Sequence, residues 1–187
     1  MKKHLKLTGG SFSGRKLYVP DSGVRPATNR AREAIFSTLN SFFERGVEGL
    51  KVLDLFAGSG SLGLEACSRG AGEVTFVERD FEAVRAIKKN LEMLGYSATI
   101  IRDDVITFLK KSKSLDYDLV FMDPPYRYER CSEAVELLKR AILPEYSVVL
   151  VHERFYEETL PDFGSGAYLL KRKKYGQTEI LYYLINI

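Results

Sequence analysis

Short apolar runs alternate along the chain with stretches whose apolar positions recur every three or four residues. The first pattern is typical of strands and the second of amphipathic helices, and the alternation is regular from residue 51 onward. The predicted strands cover 52–56, 73–78, 98–101, 118–122 and 147–151, and the predicted helices cover 61–69, 81–94, 105–111 and 129–142. Repeated strand–helix units need a mostly parallel sheet with helices on both faces. The pattern therefore predicts an α/β fold of the Rossmann-like, doubly wound kind.

The C-terminal part of the chain departs from this alternation. Residues 167–173 and 178–185 both have strand-like patterns, and only a short turn separates them. They are predicted to form an antiparallel pair that completes a seven-stranded sheet.

The N-terminal part has its own pattern. Residues 5–8 and 15–19 flank a glycine-rich turn and predict a small hairpin, which is followed by a helix that runs to about residue 43. Thr28 or Asn29 can cap that helix. We therefore divide the chain into an N-terminal hairpin-plus-helix extension and a main domain; the extension covers 1–46 and the main domain 47–187.

Charge is distributed unevenly between these parts. The net charge is +3, but residues 1–32 contain eight Lys or Arg and one acid, so the remainder has a net charge of −4. Positive charge concentrated on an acidic body favours a polyanionic partner, with nucleic acid first, although a solvated arm remains an alternative. The basic residues expected to contact phosphate are Arg15, Lys16, Arg25, Arg30 and Arg32. A second basic run at 171–174 is better explained as a solvated segment.

Several classes of protein do not fit the sequence. No apolar run approaches the roughly 20 residues of a membrane span, and the N-terminus lacks the apolar stretch of a secretory signal. Cys67 and Cys131 fall at apolar helical positions and suggest reduced cysteines. The two histidines show no metal-ligand spacing. We expect a cytoplasmic protein without a metal centre.

A glycine-rich turn follows the first strand of the main domain. Its glycines are spaced as Gly58-x-Gly60-x-x-Gly63, which is typical of a nucleotide-binding turn between a strand and a helix. Gly58 can adopt positive φ, Gly60 leaves room for a ligand, and Gly63 lets the helix approach the strand. Asp54 lies inside the preceding apolar strand, where backbone amides of the turn can bind its carboxylate.

Other acids follow the next strands of the predicted sheet. Glu78 comes 20 residues after Gly58, where a carboxylate can accept hydrogen bonds from both hydroxyls of an adenosine ribose. Asp104 could accept from an adenine amino group while the Val105 amide binds the ring, or Asp104 could cap a helix, and the two roles can coexist. Ligands of such sheets bind at the carboxyl ends of the strands.

The fourth strand ends in Asp123-Pro124-Pro125-Tyr126. The prolines cannot continue the strand and they fix the backbone, so Asp123 and the Pro124 carbonyl become two acceptors with fixed directions. Two acceptors on an exocyclic amine localise its lone pair and align it with a methyl donor, and Tyr126 offers a flat face for a base. A rigid turn with an exposed tyrosine is the structural alternative.

These motifs resemble a known family. Residues 54–60, Glu78 and residues 123–126 are similar to class I S-adenosylmethionine-dependent methyltransferases that act on exocyclic amines. Residues 25–36 and 175–178 resemble the narrower RsmD-type group, which methylates guanine N2 in 16S rRNA of the small ribosomal subunit. The similarity covers nearly the whole chain, although Ala27 stands where that group has threonine.

The resemblance implies S-adenosylmethionine as cofactor, S-adenosylhomocysteine as product, and no metal. The residues implied in cofactor binding are Asp54, Phe56, Ala57, Gly58, Gly60, Glu78, Asp104, Val105 and Asp123. The residues implied in catalysis are Asp123, Pro124, Pro125 and Tyr126, which would position a flipped guanine. The implied partner is 16S rRNA, the small subunit or its assembly intermediate. Independently of the resemblance, we expect a monomer.

Three other functions stay open. A DNA adenine-N6 or cytosine-N4 methyltransferase would share the chemistry, but 187 residues leave little room for a target-recognition region. A nicotinamide-dependent oxidoreductase fits the glycine spacing and leaves Asp54 and the Asp-Pro-Pro-Tyr turn without a role. A non-catalytic RNA-binding module is the third possibility.

Overall fold

A computed structural model of the protein describes residues 5–20, 28–143, 145–157 and 162–186. The strands are β1 Leu5–Lys6, β2 Lys16–Leu17, β3 Lys51–Leu55, β4 Glu73–Val77, β5 Thr99–Ile101, β6 Leu119–Met122, β7 Ser147–Phe155, β8 Ala167–Tyr175 and β9 Thr178–Asn186. The helices are α1 Asn29–Leu39, α2 Ser61–Ser68, α3 Phe81–Leu94, α4 Val105–Lys111 and α5 Cys131–Ala141. In these ranges, no helix has the length and apolarity needed to cross a membrane.

Seven of the strands form one sheet in the order β5-β4-β3-β6-β7-β9-β8. The strands from β3 to β7 pair in parallel, whereas β9 is antiparallel to both of its neighbours. This confirms the predicted doubly wound α/β sheet with a C-terminal antiparallel pair and an N-terminal hairpin. The strand order reverses between β3 and β6, which is where such sheets bind ligands.

The hairpin and α1 pack on one face of this sheet. Leu5, Leu17 and Ile35 belong to the same buried cluster as residues of β3 and β6, and the rings of Phe36 and Phe121 lie 5.7 Å apart. The N-terminal extension thereby covers the sheet next to the carboxyl ends of β6 and β7.

Two element boundaries differ from the prediction by four residues. Helix α1 ends at Leu39, because the chain then enters turns in which Phe42 packs edge-on against Tyr182. Strand β7 continues to Phe155, four residues beyond the predicted end, because β9 pairs with it along its whole length. The added part of β7 contains Glu153, which becomes important at the site.

One predicted RNA contact does not fit the structure. Arg32 is fully buried, its Nε lies 3.6 Å from Glu65 Oε2, and its Nη2 donates to the Lys6 carbonyl oxygen. Its guanidinium holds the hairpin, α1 and α2 together and has no surface to offer to a phosphate, so the assignment of Arg32 to RNA binding is corrected. The other candidates differ from it: Arg15, Lys16 and Arg30 are exposed, and Arg25 lies outside the described residues.

Candidate active site

The carboxyl ends of the parallel strands border a cleft of about 970 Å³. Residues of the predicted site that line it are Phe56, Ala57, Gly58, Glu78, Asp104, Asp123, Pro124, Pro125 and Tyr126. The start of α1 and the turn between β8 and β9 complete its walls with Thr28, Ala31, Tyr175, Gly176, Gln177 and Thr178. The fold therefore brings the glycine turn and the Asp-Pro-Pro-Tyr turn into one cleft.

Asp54, Gly60 and Gly63 determine the shape of the turn without lining the cleft. Asp54 is 2% exposed and its Oδ2 accepts a hydrogen bond of 2.9 Å from the Gly63 amide, while burial raises its pKa to about 7. A Cβ at Gly63 would lie 2.2 Å from the Phe76 ring, so only glycine lets α2 approach the sheet here. Gly60 has a φ of 80° and packs against side chains, which explains its identity without a ligand.

Glu78 ties the end of β4 to the glycine turn. Its Oε2 accepts from the Gly58 amide at 2.8 Å, and its Oε1 accepts from the Asp80 amide at 2.8 Å. Both bonds fix the carboxylate at the rim of the cleft. Because each carboxylate oxygen can accept a second hydrogen bond, Glu78 keeps capacity for ligand hydroxyls.

Asp104 caps α4 and also lines the cleft. Its Oδ1 accepts from the amides of Ile106 and Thr107 at 3.0 and 3.2 Å, so the capping alternative is correct for this oxygen. Its Oδ2 lies 3.8 Å from Arg79 Nη1. Val105, the first residue of α4, is buried, and the Asp104 carboxylate does not cap its amide.

The Asp-Pro-Pro-Tyr turn forms the opposite wall. Tyr126 is 60% exposed, its ring contacts Phe155 edge-on at 5.2 Å, and the Arg127 guanidinium lies 5.0 Å from the ring centre. In the described part of the chain, no hydrogen bond reaches the Asp123 carboxylate. Burial, and then the negative charge of Glu153, raise the pKa of Asp123 well above its usual range.

Glu153 is a residue of the site that the sequence reasoning missed. Met122 and His152 are paired in register on β6 and β7, so Asp123 and Glu153 are the next neighbours at the same edge. Glu153 lines the cleft, its Oε2 is buried without a hydrogen-bond partner, and burial raises its pKa to about 7. The available signal is an acid two residues after the predicted end of an apolar strand, at the edge where the other acids of the site lie.

The lining fits an adenosyl cofactor with a sulfonium group. Glu78 and Asp104 present acceptors suited to ribose hydroxyls and a purine amino group. Acids from four strand ends make the cleft favourable for a cation. The described residues contain no cluster of metal-ligating side chains.

Known proteins share this arrangement. The sheet order and the antiparallel C-terminal pair define an α/β methyltransferase fold. A solved Escherichia coli structure, provisionally described as a methyltransferase, superimposes on this chain with a TM-score of 0.88. The two are 32% identical, and the match covers 99% of both chains. The family model described as conserved hypothetical protein 95 matches residues 5–184, and the chain belongs to this family.

Two relatives match over almost the whole chain. The ribosomal RNA small subunit methyltransferase D of Escherichia coli is 36% identical over 182 residues, which cover 96% of this chain and 89% of that protein. A Bacillus subtilis protein, provisionally named an rRNA methyltransferase, is 32% identical over 184 residues, which cover 96% of this chain and 98% of the relative.

Proposed function

We propose that this protein methylates the exocyclic N2 amine of a guanine in 16S rRNA, with S-adenosylmethionine as the methyl donor. The observation that supports this most directly is the single cleft in which the glycine turn faces the Asp-Pro-Pro-Tyr turn. The name of the Escherichia coli relative supports small-subunit rRNA as the substrate.

The glycine-turn side of the cleft would hold the cofactor. Gly58 and the neighbouring Phe56 and Ala57 would border its methionine part, Glu78 would bind the ribose, and Asp104 with the Val105 amide would bind the adenine. When bound, the cofactor supplies an electrophilic methyl group on a sulfonium. The bonds from Gly58 and Asp80 hold the Glu78 carboxylate in place beforehand, so little side-chain entropy remains to be lost on binding.

The Asp-Pro-Pro-Tyr side would position the base. The Asp123 carboxylate and the Pro124 carbonyl accept the two N–H bonds of the amine, which concentrates its lone pair toward the methyl carbon. The bound cofactor would supply the methyl group and leave as S-adenosylhomocysteine with the electron pair of the sulfur–carbon bond, and the Asp123 carboxylate would take the proton that the amine releases. Its raised pKa suits a proton acceptor. Exposed Tyr126 stacks on the flipped base.

The basic residues of the N-terminal extension would contact the RNA backbone. Arg15, Lys16 and Arg30 are exposed, and Arg25 lies near Thr28 in sequence, which itself borders the cleft. Phosphate contacts of this kind make binding strongly dependent on salt. The protein would act as a cytoplasmic monomer on rRNA, an assembly intermediate or the small subunit.

The test is nucleoside mass spectrometry of 16S rRNA from cells with and without this protein, paired with methyl transfer in vitro. Small subunits from the deficient cells should accept one labelled methyl group as N2-methylguanosine. Duplex DNA should accept none. Transfer to DNA alone, or thermal stabilisation by NAD and not by S-adenosylhomocysteine, would contradict the proposal.

A further inference from the structure

The Asp-Pro-Pro-Tyr turn leaves the identity of the base open. Guanine, adenine and cytosine all carry an exocyclic amine that Asp123 and the Pro124 carbonyl could bind. Guanine differs in the ring atom beside its amine: N1 carries a hydrogen and donates, whereas adenine N1 and cytosine N3 accept. A protein that selects guanine therefore needs a second acceptor next to the one that binds the amine.

Glu153 lies at the position where such an acceptor is needed. It follows His152 on β7 as Asp123 follows Met122 on the adjacent parallel strand β6, so the two acids are neighbours on one face of the sheet. Adjacent strands are spaced about 4.8 Å apart. Both side chains line the cleft, on the side where Tyr126 contacts Phe155.

The fold itself does not account for this carboxylate. The Oε2 atom of Glu153 is buried without a hydrogen-bond partner, and such a group is costly unless something pairs with it. The nearest cations lie in other ion pairs, since Arg32 is 3.6 Å from Glu65 and Arg154 is 3.5 Å from Glu179. The charge of Arg32 lowers the pKa of Glu153, but among the described residues no hydrogen bond reaches Glu153 Oε2. A ligand donor in the cleft would supply a hydrogen bond to this carboxylate.

We propose that Glu153 selects guanine by accepting its N1–H while Asp123 accepts from its N2 amine. The inference rests on the proposed function and names the residue that gives it base specificity. The terminal torsion of a glutamate is broad, so either oxygen can turn toward the cleft. Adenine or cytosine would present a ring acceptor to this carboxylate, and the two would repel each other.

The test compares guanine with 2,6-diaminopurine at the methylated position. This analogue keeps the N2 amine and replaces the N1–H donor with an acceptor. The position is first mapped with the wild-type protein, and small subunits are then reconstituted from 16S rRNA that carries either base there. The measured quantity is the ratio of kcat/KM for the two substrates.

The wild-type protein should prefer guanine by about 10- to 100-fold, the value of one hydrogen bond to a charged group. In Glu153→Gln the amide can donate to the analogue, and the preference should fall at least about tenfold. Glu157→Gln makes the same chemical change at an exposed position outside the cleft and should keep the wild-type ratio. Thermal stabilisation by S-adenosylhomocysteine should be equal in all three proteins.

The outcomes separate the inference from the proposed function. If the wild type methylates guanine but Glu153→Gln loses activity equally on both bases, Glu153 does not read N1 and the inference is wrong. If the wild-type protein methylates no guanine in the small subunit, the proposed function itself fails.

Discussion

The carboxylates on the two sides of the cleft differ in the hydrogen bonds that they receive from the fold. On the glycine-turn side, backbone amides already bind each acid: Gly63 donates to Asp54, Gly58 and Asp80 donate to Glu78, and the first turn of α4 donates to Asp104. These bonds are part of the fold, and they exist before any ligand enters.

On the Asp-Pro-Pro-Tyr side, the acids lack such bonds. In the described part of the chain no hydrogen bond reaches the Asp123 carboxylate, and the buried Oε2 of Glu153 has no partner. Buried polar groups are nearly always satisfied, and exceptions cluster at functional sites. The difference suggests a rigid side that receives the cofactor and a second side whose hydrogen bonds await the substrate.

The largest effect on activity is expected for Asp123→Ala. Methyl transfer to the small subunit should fall about 10³-fold, because the variant loses the acceptor that orients the amine and takes its proton. Binding of rRNA should remain, because the basic residues expected to contact phosphate are unchanged. Asp116→Ala is the matched control, since Asp116 pairs with Lys51 at the amino end of β3, away from the cleft. This variant should keep its activity. Full activity of Asp123→Ala would end the catalytic assignment.

Two arginines of α1 differ in the same way: Arg32 has partners within the fold, whereas Arg30 faces solvent. Arg32→Ala should lower the free energy of unfolding in urea by about 3 kcal/mol, because it breaks a buried ion pair with Glu65. Arg30 is exposed, so Arg30→Ala should change stability by less than about 0.5 kcal/mol. Instead it should weaken rRNA binding and reduce the salt slope by about 1. Reduced rRNA affinity without lost stability in Arg32→Ala would restore Arg32 as a phosphate contact.

Local signals in the sequence were sufficient to predict the residues on the glycine-turn side of the cleft. A strand, a glycine turn and acids after successive strands are each visible within a few residues, and parallel topology brings them together. Arg32 was misplaced because its partner Glu65 lies on another helix, and a charged residue on a helix is usually solvated. Glu153 was missed because pairing with β9 is what extends β7 beyond the apolar run. Both errors concern polar residues whose environment depends on distant segments.

Glu78→Ala tests the rigid side. The variant loses the acceptor for the Gly58 and Asp80 amides, which should cost about 2 kcal/mol of unfolding free energy and weaken S-adenosylhomocysteine binding at least about tenfold. Isothermal titration and urea unfolding measure the two effects. Glu82→Ala removes an exposed carboxylate paired with Arg85 and should change neither by much. Loss of binding without any loss of stability would show that Glu78 does not organise the turn.

Glu153→Gln tests the Asp-Pro-Pro-Tyr side of the cleft through the pH dependence of the free energy of unfolding. An acid whose pKa is raised in the folded state destabilises the protein as pH rises from the unfolded pKa to the folded one, here from about 4.5 to about 7. The neutral glutamine removes this penalty and also the repulsion on Asp123. The variant should therefore be about 1–2 kcal/mol more stable than the wild type at pH 8 and nearly equal to it at pH 4, as measured by urea unfolding. A loss of stability at pH 8, compared with the exposed control Glu157→Gln, would mean that the Glu153 carboxylate has a partner in the fold, and the contrast between the two sides of the cleft would no longer hold.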